Sequence, residues 1–331
     1  MGKSELELVL DVLSKAIVRE TVSFNYYFKA GKDETLPDGV RGLLAQLAEE
    51  ERTHRKLLLR EYTDIQKTWS GSDSDVDENS SISYPVPEIP NYLHLPRSDK
   101  LDLQAVSFPA RLVGGDNVIA RVIRDRQKND IGIFVTLYDV MGHGIQTTKA
   151  NSMAASALGE YLDGTVSAEA DKEIHFPARA VNHLNSEFSL QFDGKGVFLT
   201  LFSAYIDIEA GIIQYTTAGH EPPMLLRSDG HVDSLLNTQL VIGIDSGRKY
   251  IEHSITFEKG DTLCFFSDGI LEAKNPQDEF YGRNRLSGIL TEGRGKNPKE
   301  MILSILADLR EFAEGEPLKD ELTLVVVSCC S

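Results

Sequence analysis

Residues 131–140 read IGIFVTLYDV and run directly into MGHG at 141–144. This run of apolar and β-branched residues is typical of a buried strand, and the acidic residue Asp139 lies near its end. Two shorter β-rich runs precede it, VSFPARLV at 106–113 and NVIARVI at 117–123. The segment therefore predicts a core strand with an acidic residue at its end.

Strand and helix patterns occupy separate parts of the sequence beyond this segment. Gly, Asp and Pro turns join many of the strand runs, which favours antiparallel hairpins. We therefore predict an α+β fold in which one sheet packs on another with helices outside, rather than a doubly wound parallel sheet. The helical patterns lie at 145–162, 176–192 and 298–315, and the later strand runs lie at 197–208, 211–219, 222–228, 253–260, 261–269 and 322–330.

The N-terminal part has a different pattern. Residues 1–67 carry two apolar stripes at helical spacing on either side of the turn sequence GKDETLPDG at 31–39. A single helical hairpin cannot enclose both stripes, so we predict a homodimer whose two hairpins form a four-helix bundle. Residues 68–98, rich in Ser, Asp and Pro, predict an acidic linker, and residues 99–331 predict the second domain.

Length, charge and cysteine content indicate the general class of protein. The 331 residues suit about two domains, and 34 basic against 51 acidic residues give a formal charge of −17. Such an acidic chain would repel phosphate backbones and anionic lipids, so we expect neither nucleic acid nor membrane partners. The three cysteines form no disulfide or zinc pattern, and the N-terminus lacks a continuous apolar stretch, so we expect a cytoplasmic protein.

Four aspartates stand where apolar runs begin or end: Asp116, Asp139, Asp268 and Asp320. If strand ends on one rim bring them together, each pair of carboxylates about 4 Å apart repels by about 4 kcal/mol at an effective dielectric of 20. Mg²⁺ or Mn²⁺ would relieve this repulsion, because hard oxygen ligands favour these cations. The alternative is that each aspartate caps a strand or opens a turn, as Asp-Gly at 268–269 commonly does.

The neighbouring motifs extend the pattern. GGD at 114–116, DVMGHG at 139–144, TAGHEPP at 217–223, SDG at 267–269 and DELTL at 320–324 occur in this order. Over residues 100–329 the chain resembles the SpoIIE-like, or RsbU-like, serine phosphatases, a bacterial branch of the metal-dependent protein phosphatase 2C superfamily.

This resemblance implies a two-sheet sandwich that binds two Mn²⁺ or Mg²⁺ ions per phosphatase domain and acts on phosphoserine or phosphothreonine. It further implies a STAS-domain anti-anti-sigma factor as the partner. The implied metal ligands are the aspartates of the motifs and one backbone carbonyl: Asp116, Asp139, Asp268, Asp320 and the carbonyl of Val140.

One motif departs from the family pattern. The family often has two aspartates before the last Thr-Leu, whereas Glu321 follows Asp320 here. We assign the ligand role to Asp320 and expect at worst weakened metal binding. His143 is a candidate general acid for the leaving serine oxygen, or it hydrogen-bonds a loop carbonyl. His220 is interpreted as packing its Gly-His-Glu-Pro-Pro turn, and Arg111 as solvated.

A second candidate metal site lies in the helical hairpin. Glu20 falls on the apolar stripe of the first helix, and Glu51 and His54 fall on that of the second as Glu-x-x-His. Two hairpins would together supply the ligands of a di-iron carboxylate bundle. The segments around these residues resemble rubrerythrin and ferritin-like half-bundles, which implies an iron site shared across a dimer. The alternative is a solvated helix, since Glu-x-x-His is a short motif.

Three functions stay open at this point. The first is a serine/threonine protein phosphatase in bacterial signalling, regulated by an iron- or redox-sensing bundle. The second is a pseudo-phosphatase that binds a partner without hydrolysis, suggested by Glu321. The third is an iron-oxidising bundle fused to a phosphatase-like domain. Retention of all four aspartates favours the first.

Overall fold

The computed structural model describes residues 37–70, 100–108, 115–125, 129–141, 145–167 and 177–329, with isolated positions outside these ranges. The chain divides into two compact units, Met1–Ser80 and Ser81–Ser331. The predicted domain boundaries at 67 and 98 remain predictions. No helix within the described ranges is long and apolar enough to cross a membrane.

The first unit contains helix α1, Asp38–Ser70. The acidic Asp38 in its first turn suits the positive end of the helix dipole. Ala48 is buried, while Leu43 and Leu57 are more than half exposed. The predicted first helix of the hairpin, with Glu20, lies outside the described residues, so the hairpin and its dimeric bundle stay predictions.

The second unit is a sandwich of strands and helices. Every strand pair that the structure describes in its two sheets is antiparallel. The strands are β1 Leu101–Phe108, β2 Asn117–Arg124, β3 Asp130–Met141, β4 Phe198–Asp207, β5 Ile212–Ala218, β6 Met224–Leu226, β7 Val232–Ser234, β8 His253–Thr256, β9 Thr262–Phe266 and β10 Leu322–Cys329. The helices are α2 Ile145–Ser167, α3 Pro177–Phe192, α4 Asp268–Leu271, α5 Gly282–Glu292 and α6 Pro298–Ala313.

The strands form two five-stranded sheets. Sheet I has the order β1-β10-β9-β6-β7, and sheet II has the order β2-β3-β4-β5-β8. Their facing sides make one core, in which the rings of Phe202 and Phe265 lie 5.0 Å apart. The outer face of sheet II packs against α2 and α3, and that of sheet I against α5 and α6. The predicted two-sheet sandwich flanked by helices is confirmed.

Strand β3 shows why its sequence lacks polar alternation. Ile133 and Leu137 face the core between the sheets, whereas Phe134 and Tyr138 face the helices. Because successive side chains point to opposite faces, a strand covered on both sides must be apolar at every position.

The structure differs from the sequence predictions at several elements. Strand β3 continues through Asp139 to Met141, so this aspartate lies within the strand rather than after it. Asp268 opens the short helix α4 instead of a simple turn. Helix α5 was not predicted, because its polar, glycine-containing sequence has few apolar positions. Burial of Leu286 and Leu290 against sheet I accounts for it.

Candidate metal centre

Strand pairing brings two of the predicted ligands together. The β2–β3 register ends with Asn117 opposite Tyr138. The Val140 amide donates to the Gly115 carbonyl at 3.2 Å, so Asp116 and Asp139, which lie between these two contacts, are neighbours. Leu137 belongs to the core between the sheets. Asp139, two residues later, therefore faces the same side at one end of the sandwich.

A row of hydroxyl side chains lies at the same end of sheet I. Ser107 pairs with Thr323 across β1 and β10, and their hydroxyl oxygens are 3.0 Å apart. The Thr323 amide donates to Ser267 Oγ at 2.9 Å, and the Ser267 amide donates to the Thr323 carbonyl at 3.0 Å. These bonds fix the ends of β9 and β10, the strands next to Asp268 and Asp320.

Glu321 connects the two sheets. Its Oε1 accepts a hydrogen bond from the Gly115 amide and its Oε2 accepts one from the Asp116 amide, both at 2.9 Å. The residue is 7% exposed, and its carbonyl accepts from Ser267 Oγ at 3.1 Å. Its own amide donates to Asp320 Oδ1 at 2.8 Å. Glu321 is thus built into the acidic cluster, a role that the sequence analysis missed.

Two glycines allow backbone to approach the acidic residues. A Cβ at Gly115 would lie 2.3 Å from Asp139 Oδ1 and 2.9 Å from the Val140 carbonyl oxygen. A Cβ at Gly269 would lie 2.0 Å from the Glu321 carbonyl oxygen. Neither position has room for a side chain, which explains the glycines of the GGD and SDG motifs.

The carboxylates of the cluster are buried or partly buried and lie close to one another. Burial raises the pKa of Asp116 well above its ordinary value, and the charges of Glu321 and Asp139 raise it further. Burial, with contributions from Asp139 and Asp320, raises the pKa of Glu321 to about 7. Burial and the charge of Asp320 raise the pKa of Asp268 to about 6. The three shifts share one cause, since burial and neighbouring negative charges both disfavour the ionised carboxylate.

The residues present fit a hard divalent cation. Asp116 Oδ2 is buried and has no hydrogen-bond partner, and carboxylate oxygens are ligands that Mg²⁺ and Mn²⁺ prefer. The carboxylates form two neighbouring groups, Asp116 with Asp139 and Asp268 with Asp320. Within the described residues, no group of three or more His, Cys, Asp or Glu side chains is already arranged to hold an ion.

The backbone of Val140 also lies at this cluster. Its amide donates to the Gly115 carbonyl at 3.2 Å, and its own carbonyl faces the space that a Gly115 side chain would fill. The proposed general acid His143 and Arg111 both lie outside the described residues, so their roles stay predictions.

His220 is buried beside this end of sheet II. Its Nδ1 lies 3.3 Å from Thr200 Oγ1, and Thr200 pairs with Asp139 across β3 and β4. Burial lowers the pKa of His220 to about 4, so the ring is neutral near pH 7. This environment agrees with the interpretation of His220 as a packing residue.

An ion pair lies near Asp268. Arg283 Nη2 on α5 contacts Glu221 Oε2 at 2.9 Å, and Glu221 adds to the negative charge that raises the pKa of Asp268. Sequence reasoning missed both residues. Glu221 stands inside the quoted TAGHEPP motif, but nothing in the sequence around Arg283 indicates its partner.

Two of the three predicted iron ligands can be located. On α1, Glu51 Oε2 lies 3.5 Å from His54 Nδ1. The Glu51 side chain is 19% exposed and that of His54 is 58% exposed. Glu51 therefore lies on the more buried side of the helix, while His54 is open to solvent. Since Glu20 lies outside the described residues, the iron site stays a prediction.

Comparison with known proteins identifies the family of this chain. The family model "Stage II sporulation protein E (SpoIIE)" matches residues 129–329. Phosphoserine phosphatase RsbU of Bacillus subtilis is 26% identical over 262 residues, covering 79% of this chain and 73% of RsbU.

Solved structures share the fold. The PP2C phosphatase domain of SpoIIE from Bacillus subtilis, solved with a fragment of its regulatory domain, has a TM-score of 0.55 at 21% identity and covers 70% of this chain and 64% of its own. RsbX in complex with magnesium has a TM-score of 0.52 at 15% identity and covers 73% and 100%. The chain therefore belongs to the SpoIIE family, and its second unit has the fold of the PP2C phosphatase domains.

Proposed function

We propose that this phosphatase is metal-dependent and acts on a phosphoserine or phosphothreonine protein of a bacterial signalling system. The observation that carries the proposal is the closeness of Asp116 to Asp139, with a buried Asp116 Oδ2 that has no hydrogen-bond partner. A cation would satisfy this oxygen and offset the repulsion that raises the pKa values of the cluster.

Asp139, Asp116 and Asp268, with the Val140 carbonyl, would hold a pair of Mn²⁺ or Mg²⁺ ions, and Asp320 would complete the ligands of one ion. When bound, such ions supply positive charge to a phosphoryl group and lower the pKa of bound water. The magnesium complex of RsbX, a protein of the same fold, supports this assignment.

The other residues of the site hold the carboxylates in place. The Ser267–Thr323 hydrogen bonds fix the strand ends next to Asp268 and Asp320. The missing side chains of Gly115 and Gly269 let the backbone approach Asp139 and Glu321 closely. These features position carboxylates before any ligand arrives, which is how a binding site avoids reorganisation during the reaction.

We further propose a STAS-domain anti-anti-sigma factor as the partner. The family resemblance supports this choice, and the name of the relative RsbU, phosphoserine phosphatase, agrees with the chemistry. A dimeric N-terminal bundle that responds to iron or redox state is the proposed regulator. The closeness of Glu51 and His54 on one helix supports it.

Hydrolysis by the purified full chain tests the function. We expect p-nitrophenyl phosphate and a phosphoserine protein to be cleaved with Mn²⁺, and cleavage to stop with chelator or in Asp268→Asn. Asp193→Asn, which changes an exposed aspartate after α3, is the matched control and should retain wild-type rates. Folded protein that binds Mn²⁺ and cleaves neither substrate would contradict hydrolysis and favour the pseudo-phosphatase alternative. Equal rates with and without chelator would contradict the metal.

A further inference from the structure

The Glu321 side chain joins parts of the chain that are far apart in sequence. It projects from the residue before β10 of sheet I, and its two oxygens accept from the consecutive amides of Gly115 and Asp116, just before β2 of sheet II. Both donor–acceptor distances are 2.9 Å. Two hydrogen bonds from consecutive amides to one buried side chain make this contact a clamp between the sheets.

The clamped segment is held from its other side as well. The Gly115 carbonyl accepts from the Val140 amide at 3.2 Å and from Asn151 Nδ2 on α2 at 3.3 Å. Because its amide and its carbonyl are both hydrogen-bonded, the backbone at Gly115 is held in position from two sides. That position sets where the Asp116 carboxylate lies relative to Asp139.

From this geometry we infer that Glu321 is a positioning residue for the metal centre, a role that rests on the proposed metal-dependent function. It acts by holding the Gly115–Asp116 backbone, and it does not serve as a second acidic ligand next to Asp320. The glutamate that replaces the second aspartate of the family motif then has a structural role, because its longer side chain extends from sheet I to the Gly115 and Asp116 amides just before β2 of the other sheet.

Side-chain length separates this role from a purely electrostatic one. An aspartate is shorter by one methylene, about 1.5 Å. From the same backbone position its oxygens would lie more than about 4 Å from the two amides, beyond hydrogen-bond distance. Glu321→Asp therefore keeps the charge and loses the clamp, whereas Glu321→Gln keeps the length and one acceptor oxygen but loses the charge.

Two measurements on the full chain test the inference. The first is amide hydrogen exchange at Gly115 and Asp116 by NMR without metal, where we expect protection in the wild type and its loss in Glu321→Asp. The second is Mn²⁺ affinity by calorimetric titration. We expect the Kd for Mn²⁺ to be roughly 10- to 100-fold higher in Glu321→Asp, which is the range for residues that orient metal ligands. In Glu321→Gln the Kd should rise by no more than in Glu321→Asp.

A matched control separates positioning from general stability. Glu300→Ala removes the capping box of α6 at an exposed position that makes no contact with the clamp, and should lower stability without changing Mn²⁺ affinity. Wild-type Kd in Glu321→Asp, or unchanged exchange at the two amides, would overturn the inference. Wild-type protein that binds Mn²⁺ with the expected dependence on Glu321 and hydrolyses nothing would instead contradict the proposed function alone.

Discussion

Gly115→Ala is the substitution whose effect follows most directly from the geometry. The new Cβ would lie 2.3 Å from Asp139 Oδ1 and 2.9 Å from the Val140 carbonyl oxygen. An ordinary contact of about 3.4 Å needs a shift of about 1 Å, in a segment whose amide and carbonyl are both hydrogen-bonded. Overpacking of this kind destabilises a fold by about 1–3 kcal/mol.

The functional effect should exceed the loss of stability. A displacement of about 1 Å at a catalytic group can lower the rate about 100-fold. We therefore expect kcat/KM for p-nitrophenyl phosphate to fall about 100-fold at saturating Mn²⁺, while urea unfolding shows a folded protein. Gly288→Ala, on α5 with nothing within 4 Å of the added Cβ, is the control and should keep wild-type activity. A Gly115→Ala variant with wild-type kcat/KM would refute the argument that close backbone approach builds this site.

Three further predictions concern pH, helix capping and the bundle. The raised pKa values of Asp116, Asp268 (about 6) and Glu321 (about 7) make these groups bind more protons in the folded, metal-free protein than in the unfolded chain between pH about 4 and 7, and together they outweigh the opposite contribution of His220. Its free energy of unfolding should therefore fall as pH rises through this window in chelator, and Mn²⁺ should remove most of the fall; urea titrations that show the opposite slope would contradict the charge argument. Asn297→Ala removes the side chain that accepts from the Glu300 amide at 2.9 Å and should cost about 1 kcal/mol of stability in urea, with kcat unchanged. If the bundle holds iron, metal analysis of the purified chain should detect it, and the double variant Glu51→Ala, His54→Ala should lack it. Wild-type protein that contains no iron after anaerobic reconstitution would contradict the iron site.

Much of the second unit follows from local sequence pattern. Strands β3 and β10 are apolar at nearly every position because both faces are covered, and that pattern is visible without coordinates. The order of the acidic motifs likewise indicated the phosphatase family and four candidate ligands. Helix α5 escaped prediction, because its place depends on packing of Leu286 and Leu290 rather than on its own periodicity.

Contacts between segments that are far apart in the chain could not be predicted from local sequence pattern. In the sequence, Glu321 is recognisable only as a departure from a motif. Its neighbours in the chain do not indicate that its carboxylate accepts hydrogen bonds from two amides 205 and 206 positions earlier. The same holds for Arg283 and Glu221, 62 positions apart. Amino-acid pattern determined which chemistry the chain carries, because motifs and burial periodicity are local. The relative placement of the two sheets decided which carboxylates meet, because strand register and sandwich packing are properties of the folded whole.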